Sequence, residues 1–127
     1  MKKLLVLLFS ILISFNSYGE WTKYGDSIEG NSMYIDYSGI KEHNGFVYFW
    51  EMVDYLTPSK HGTMSTQVYI QTKCETYRSK YLTYVFYTLS MGDGDGNSHT
   101  PTDSEWWYPG PESVIKGVIE SVCDYVK

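Results

Sequence analysis

Residues 66–75 read TQVYIQTKCE, and their pattern decides what kind of fold this chain can adopt. Smaller or apolar side chains alternate with larger polar ones along the whole stretch. Because successive side chains of a β-strand point to opposite faces, a period of two predicts a strand with one buried face. The residues predicted for the buried face are Val68, Ile70, Thr72 and Cys74.

Strand-like runs also occur on both sides of this stretch. Asn44-Gly45, the dipeptide most typical of a two-residue hairpin turn, stands between Ile40-Lys41 and an apolar run that starts at Phe46. Short connections between successive strands favour antiparallel neighbours, so we predict one meandering antiparallel sheet. The predicted strands are residues 21–24, 33–37, 46–56, 64–75 and 80–91.

The C-terminal segment changes from a period of two to a period of 3.6, which predicts an amphipathic helix that begins near Val114. Ser113 is the predicted N-cap, because its hydroxyl can accept a hydrogen bond from a free backbone N–H of the first turn. Four residues separate Ile119 from Cys123, so the thiol lies beside the apolar stripe. That stripe consists of Val114, Ile115, Val118, Ile119, Val122 and Val126.

The N-terminal segment has the three zones of a secretory signal peptide. Residues 2–3 are basic, residues 4–15 are apolar, and residues 17–19 form a small-x-small cleavage site. The apolar zone is shorter than the roughly 20 residues that a membrane-spanning helix needs. We therefore expect export and cleavage, which leave one domain of residues 20–127 in the periplasm or outside the cell. No cysteine stands near the cleavage point, so no lipid anchor is expected.

Cys74 and Cys123 are the two cysteines of the chain. In an oxidising compartment, two cysteines without another partner predict a disulfide. A redox-active pair is the alternative, but such pairs usually form a Cys-x-x-Cys motif at the start of a helix. The predicted fold is therefore α+β: a single antiparallel meander sheet packed on one C-terminal amphipathic helix, tied by one disulfide.

Charge restricts the classes of partner. Without residues 1–19, eight basic and fifteen acidic residues give a formal net charge of −7. Nucleic acid and anionic lipid are poor partners for so acidic a chain, and no run of basic residues suggests a glycosaminoglycan site.

The glycine-rich stretch GDGDGN is the best candidate for a metal site. Asp93, Asp95 and Asn97 have the 1, 3, 5 spacing of an EF-hand loop. Ser98 and Ser104, however, stand where that loop needs glycine and glutamate. A flexible, solvated connection explains the same residues. We predict no metal or other cofactor, although a cation site in this loop stays open.

The sequence also lacks the patterns typical of an enzyme. His43, His61 and His99 are scattered over three predicted turns, without the spacing of a zinc pair. No Gly-x-Ser-x-Gly elbow is present, and neither cysteine has an evident partner histidine. We therefore predict a protein without catalytic activity.

Several short motifs occur in a fixed order along the chain. They are Trp21, residues 34–36 (YID) with Ile40, residues 45–50 (GFVYFW), residues 53–55 (VDY), Cys74, Met91-Gly92, Trp106 and Val122-Cys123. Together they resemble the bacterial surface-adhesin protein E family over nearly the whole chain after residue 19. The resemblance implies a small exported protein without enzymatic activity, in which a disulfide ties an antiparallel sheet to a C-terminal helix and Gly92 and Trp106 are structural.

The resemblance also implies contact with host matrix or serum glycoproteins. Lipidated members of the family carry an anchoring cysteine that this chain lacks, which argues against fixed surface display. We therefore expect an exported binding module of the bacterial envelope whose partner is another protein. A periplasmic protein for a small ligand, such as haem or a cation, and an enzyme are the alternatives, and a homodimer is compatible with the sequence.

Two places are predicted for the binding site: a tyrosine-rich sheet face and the long loop from Asp93 to Tyr108. Trp106 is expected to fill the core. Because adjacent residues of an extended segment face opposite ways, Trp107 or Tyr108 is then the more exposed neighbour, and these two are the candidate binding residues.

We expect the mature protein to begin at Glu20. N-terminal sequencing of the exported protein should read EWTKY, because the basic, apolar and small-residue zones all place the cleavage after Gly19. A mature chain that still begins at Met1 would contradict this prediction.

Overall fold

Residues 20–127, the part of the chain that the computed structural model describes, form an antiparallel sheet and a C-terminal helix. The predicted signal peptide, residues 1–19, lies outside the described residues. The elements are β1 (Trp21–Asp26), β2 (Ser32–Asp36), β3 (Lys41–His43), β4 (Phe46–Asp54), β5 (Ser65–Lys73), β6 (Arg78–Tyr87), β7 (Gly96–His99) and α1 (Val114–Tyr125), with 3-10 turns at Tyr37–Gly39 and Ser90–Gly92.

The sheet has seven strands in the order β1-β2-β4-β5-β6-β7. Strand β3 shares one edge of β4 with β2: β2 pairs with residues 51–54 of β4, and β3 pairs with residues 46–48. All pairings are antiparallel, and apart from β3 each strand lies beside its neighbour in sequence. The predicted antiparallel meander is confirmed.

Strands β4 and β5 form the centre of the sheet through nine paired residues, from Phe46 with Lys73 to Asp54 with Ser65. The alternation predicted for β5 is present, since Val68, Ile70 and Thr72 are buried. The Asn44-Gly45 turn that leads into β4 is also confirmed. Both of its residues have positive φ, 52° and 82°, as a type I′ hairpin turn requires.

Helix α1 packs its apolar stripe across one face of the sheet. Val118, Ile119 and Val122 are almost completely buried there. Ser113 caps the helix as predicted, because its hydroxyl accepts a hydrogen bond from the Lys116 N–H at 3.3 Å. The core cluster consists of Ile35, Val47, Phe49, Val68, Ile70, Val118, Ile119, Val122 and Cys123.

The predicted disulfide joins Cys74 to Cys123, with 5.7 Å between the two Cα atoms. Cys74 directly follows β5, which ends at Lys73 and not at Glu75 as expected from the sequence. Because Cys123 lies on the buried side of α1, the bond fastens the helix to the end of a central strand.

Strand β7 was not predicted from the sequence. Residues 92–97 were predicted to be a flexible, solvated connection, but residues 96–97 belong to β7, and Gly96–His99 pairs with residues 84–87 of β6. All four residues of β7 are exposed and polar or glycine, so they show no hydrophobic alternation. Their strand conformation depends on the β6 edge, which no local pattern reveals.

We expect loss of the disulfide to reduce the free energy of unfolding by about 4 kcal/mol. The bond closes a loop with a sequence separation of 49, and closing a loop of that length restricts the unfolded chain by about this amount. The measurement is urea unfolding with and without dithiothreitol.

The double variant Cys74→Ala/Cys123→Ala is the control. It should unfold at the same urea concentration whether or not the reductant is present. If reduction leaves the unfolding of the unaltered protein unchanged, the bond does not hold the helix on the sheet.

Candidate functional site

The two faces of the sheet differ in what covers them. Helix α1 covers the face that carries Phe49 and Ile70. We call the opposite side the open face; because directly paired residues share a face, its members follow from the strand register. They include Phe46, Tyr48, Trp50 and Met52 of β4, Gln67, Tyr69, Gln71 and Lys73 of β5, and Arg78 and Lys80 of β6.

One end of the open face is closed by residues 88–93. The Ser65 hydroxyl donates to the Leu89 carbonyl at 2.7 Å and accepts from the Gly92 N–H at 2.9 Å. This cover explains why Met52 is completely buried although it points away from α1.

Gly92 is needed for that closure. Its φ is +74°, and a Cβ atom at this position would lie 2.5 Å from Nε2 of Gln67. A side chain would therefore strain the backbone and displace the Gln67 side chain of β5. These observations support the structural role that the family resemblance implied for Gly92.

Three aromatic rings occupy the centre of the open face. The ring centroids of Trp50 and Tyr69 are 4.8 Å apart, and those of Tyr48 and Tyr69 are 6.1 Å apart. Nε2 of Gln71 donates to the Tyr48 hydroxyl at 3.1 Å. We call Tyr48, Trp50 and Tyr69 the central aromatic group. These three side chains and Gln71 are partly exposed, so the group combines fixed geometry with access from solvent.

Trp106 lies over the other end of the open face. Its ring stacks on Phe46 with 5.8 Å between the centroids. The Arg78 guanidinium carbon is 4.8 Å from the centroid of the indole, and Nζ of Lys80 is 5.2 Å away. The geometry is that of cation–π contacts, so two cations are held at this end.

The predicted orientation of the two neighbouring tryptophans is wrong. Trp107 packs against the helix-side core, with its ring 5.1 Å from that of Tyr81, whereas Trp106 points to the open face. The register is set by an isolated bridge in which Trp107 and Ser79 exchange two backbone hydrogen bonds of 2.8 Å. The expected alternation is present, but the sequence contains no signal for this bridge and therefore none for its register.

Tyr108 is exposed, as expected, with 68% of its surface accessible. Trp107 and Tyr108 are thus adjacent in sequence but differ in accessibility. A binding role for either residue stays a prediction.

The helix-covered face holds a buried carboxylate. Glu51 is only 5% exposed and accepts a hydrogen bond from the Tyr24 hydroxyl. Burial raises the pKa of Glu51 above its ordinary value, and the Tyr24 hydrogen bond partly opposes this shift. Burial, with Glu51 and Tyr84 nearby, also raises the pKa of Tyr81 to about 12.

No role was predicted for Glu51 from the sequence, although alternation along β4 indicates its burial; only its hydrogen-bond partner could not have been found there. It stands in the run FVYFWEMVD, where alternation alone places a charged residue on the buried face. Its partner Tyr24 is 27 residues away and reaches it across the sheet.

A groove of about 520 Å³ lies between the β4–β5 loop and the β6–β7 hairpin. A volume of this order is within the usual range for small-molecule sites. His61 and Asp95 lie on its walls, together with Tyr55, Ser59, Gly62, Thr63, Phe86, Tyr87, Thr88, Gly96 and Asn97.

The three histidines fall in separate places: His43 in β3, His61 in the β4–β5 loop and His99 in β7. Nowhere in residues 20–127 do three or more His, Cys, Asp or Glu side chains come together as a metal site would require. The same residues include no helix that is long and apolar enough to cross a membrane.

Comparison with known proteins identifies the family of the chain and finds solved structures with a similar fold. The model of the family described as Surface-adhesin protein E matches residues 21–124 of this chain. No curated protein matches the sequence.

Solved structures of Haemophilus influenzae protein E are similar to this fold. Its crystal form II gives a TM-score of 0.66 at 19% identity, covering 84% of this chain and 90% of that one. A second structure of this protein gives a TM-score of 0.64 at 18% identity, covering 82% of this chain and 83% of that one. Protein E from non-typeable Haemophilus influenzae gives a TM-score of 0.62 at 18% identity, covering 82% of this chain and 75% of that one. At these identities the likeness shows the fold alone.

We expect Glu51→Gln to raise the melting temperature at pH 7.5, because the ionised carboxylate is costly to bury. The pKa of Glu51 is higher in the folded state than the ordinary 4.5. The stability linked to its protonation is therefore fully present below pH 4.5 and is lost as the pH rises through the folded value. The gap between the variant and the unaltered protein should narrow as the pH falls from 7.5 to below 4.5.

The measurement is thermal unfolding across this pH range, with Glu112→Gln as the matched control at an exposed glutamate. The control should show no comparable narrowing. A constant gap between Glu51→Gln and the unaltered protein would contradict the assignment of a protonation change to Glu51.

Proposed function

Since the chain belongs to the surface-adhesin protein E family, we propose that it is an exported, non-enzymatic binding module of the bacterial envelope that recognises another protein. Its recognition surface is the open face. Glycoproteins of the host matrix or serum are the proposed partner class, by analogy with the adhesins for which the family is named.

The observation that carries this proposal is the central aromatic group. Tyr48, Trp50 and Tyr69 are held in contact with one another on the side of the sheet away from α1, and they are accessible to solvent. Tyrosine and tryptophan are enriched in interfaces and among the residues that dominate binding energy. Rings already held by their neighbours lose little conformational entropy when a partner binds.

Tyr108 is proposed as a further contact, since it is exposed and follows the tryptophan pair. Trp107 contributes by fixing this segment to β6 through its bridge with Ser79. Its side chain packs on the core, so its truncation affects the position of Trp106 and Tyr108 as well as stability.

The absence of catalysis belongs to the same proposal. Glu51 is the buried carboxylate of the helix-covered face, and its neighbour Tyr24 is a donor whose pKa is raised mainly by burial. A general acid or base needs access to a substrate, and Glu51 is almost fully shielded from solvent. Export and the lack of a lipid anchor rest on the N-terminal sequence pattern described above.

A small-ligand function is the second candidate, and the groove beside His61 is the observation in its favour. Of the two ligands predicted from the sequence, haem and a cation, haem is the one proposed for it, because no group of His, Cys, Asp or Glu in residues 20–127 suits a metal ion. Native mass spectrometry of protein purified from its own host would show the added mass of such a ligand. A mass equal to that of the mature polypeptide with its disulfide would count against this candidate.

We expect Trp50→Ala and Tyr69→Ala each to weaken partner binding by about fivefold or more, which corresponds to more than about 1 kcal/mol. Binding is measured by surface plasmon resonance on a panel of immobilised matrix and serum glycoproteins. Tyr125→Ala is the matched control, because Tyr125 is an aromatic residue of α1 that is 59% exposed on the other side of the molecule.

Melting temperatures separate binding from folding. The two open-face variants should lose affinity without an equal loss of stability, and the Tyr125 variant should keep its affinity. Equal losses in all three variants, or no binding to any glycoprotein of the panel, would overturn the assignment of the open face.

A further inference from the structure

Two cross-strand rows of side chains lie at the end of the open face that residues 88–93 leave uncovered. The first row runs across β3, β4, β5 and β6, and the second lies beside it. Directly paired residues share one face of a sheet, so both rows project from the open face. The first row is Lys41, Tyr48, Gln71 and Lys80, and the second is His43, Phe46, Lys73 and Arg78.

We call the four cations of these rows, Lys41, Lys73, Arg78 and Lys80, the cationic patch. They are half of the eight basic residues in residues 20–127, a part of the chain whose formal net charge is −7. The patch therefore concentrates four positive charges on an otherwise acidic protein.

The cations of the patch are not neutralised by ion pairs. Within the described residues, the ion pairs join Lys23 to Asp26, Lys116 to Glu120 and Lys127 to Asp124, and all three lie elsewhere.

No carboxylate occupies any of the eight positions of the two rows in this part of the chain. Glu42 alternates to the opposite face of β3, while Glu75 lies in the turn after β5 and Glu105 precedes Trp106. The positive charge of the patch is therefore available to a ligand.

Aromatic rings hold part of the patch in place. Arg78 and Lys80 lie over Trp106 at 4.8 and 5.2 Å, and Trp106 is itself stacked on Phe46. A cation–π contact positions a cation without cancelling its charge, so less side-chain entropy is lost when an anion binds.

From these observations we propose that the cationic patch binds the sulfate or carboxylate groups of an anionic polysaccharide. The inference rests on the proposed function and names the chemistry of the partner at one end of the same face. A glycan chain of a matrix glycoprotein is a ligand of this class.

The dimensions of the patch suit an extended polyanion. Strands are spaced about 4.8 Å apart, so Lys41 and Lys80, three strands apart, are separated by roughly 14 Å at the backbone. Residues two apart along a strand add a second row roughly 7 Å away. Several anionic groups along one chain can contact this area, whereas a single small anion would use only part of it.

The residues between the cations favour a polysaccharide over other polyanions. Tyr48 and Gln71 lie between Lys41 and Lys80 and offer hydroxyl and amide groups for sugar hydroxyls. Single-stranded nucleic acid binds through bases stacked on free aromatic faces, but Trp106 already contacts Phe46 and two cations. A peptide that binds by adding a strand needs the edge of a sheet, whereas the patch lies on its face.

The sequence contains no run of basic residues typical of a glycosaminoglycan site. The four cations come from β3, β5 and β6, and pairing with β4 and between β5 and β6 brings them to one surface.

The test uses a size-defined, fully sulfated heparin octasaccharide and the mature protein, with binding measured by isothermal titration calorimetry. We expect Lys73→Gln/Arg78→Gln to weaken binding by about tenfold or more. Binding to the unaltered protein should also weaken by about tenfold or more between about 50 and 200 mM salt, because cations that contact a polyanion release its counterions.

Lys60→Gln/Lys116→Gln is the matched control. It removes the same charge from the β4–β5 loop and from α1, away from the patch, and should retain the affinity of the unaltered protein. Lys73→Arg should also retain binding, because it keeps the charge. Melting temperatures of all variants show whether each one is folded.

Three results would overturn the inference: no binding of the octasaccharide at about 50 mM salt, equal losses in the patch and control variants, or equally tight binding of an oligoglutamate or oligonucleotide of the same charge. Failure of this inference can be distinguished from failure of the proposed function. If glycoprotein binding still depends on Trp50 and Tyr69 while the octasaccharide does not bind, the open face remains an interface and the polysaccharide inference is wrong.

Discussion

The register between β4 and β5 is the constraint on which the rest of the structure depends. Its nine residue pairs send Phe49 and Ile70 toward α1, and Trp50 and Tyr69 to the open face. A slip of one residue would exchange the two sets, because side chains alternate along a strand. The same register thus produces both the core under the helix and the aromatic surface on the other side.

The two ends of the open face differ in what covers them. Residues 88–93 fold over one end, bury Met52 and depend on the conformation of Gly92. At the other end, a single tryptophan lies across Phe46 and two cations, and the surface stays accessible. One sheet face can therefore contribute to stability at one end and remain available for binding at the other.

Helix α1 has a complementary role on the opposite face. It buries the apolar residues of the sheet, and the disulfide at Cys123 holds it against the end of β5. A domain of this size has a limited core, so a covalent link between helix and sheet is a substantial part of its stability. Glu51 is buried on the same face of the sheet, and its hydrogen bond from Tyr24 satisfies a polar group that would otherwise be costly to bury.

The sequence by itself determined the antiparallel sheet, the Asn44-Gly45 turn, the helix with its Ser113 cap and the Cys74–Cys123 bond. Each of these features follows from a local periodicity, a short turn motif or the number of cysteines. Only the tertiary structure decided strand β7, which of Trp106 and Trp107 faces the core, the pairing of Glu51 with Tyr24 and the assembly of the cationic patch. These features depend on pairing between segments distant in sequence, and local patterns carry no information about which distant residues will become neighbours.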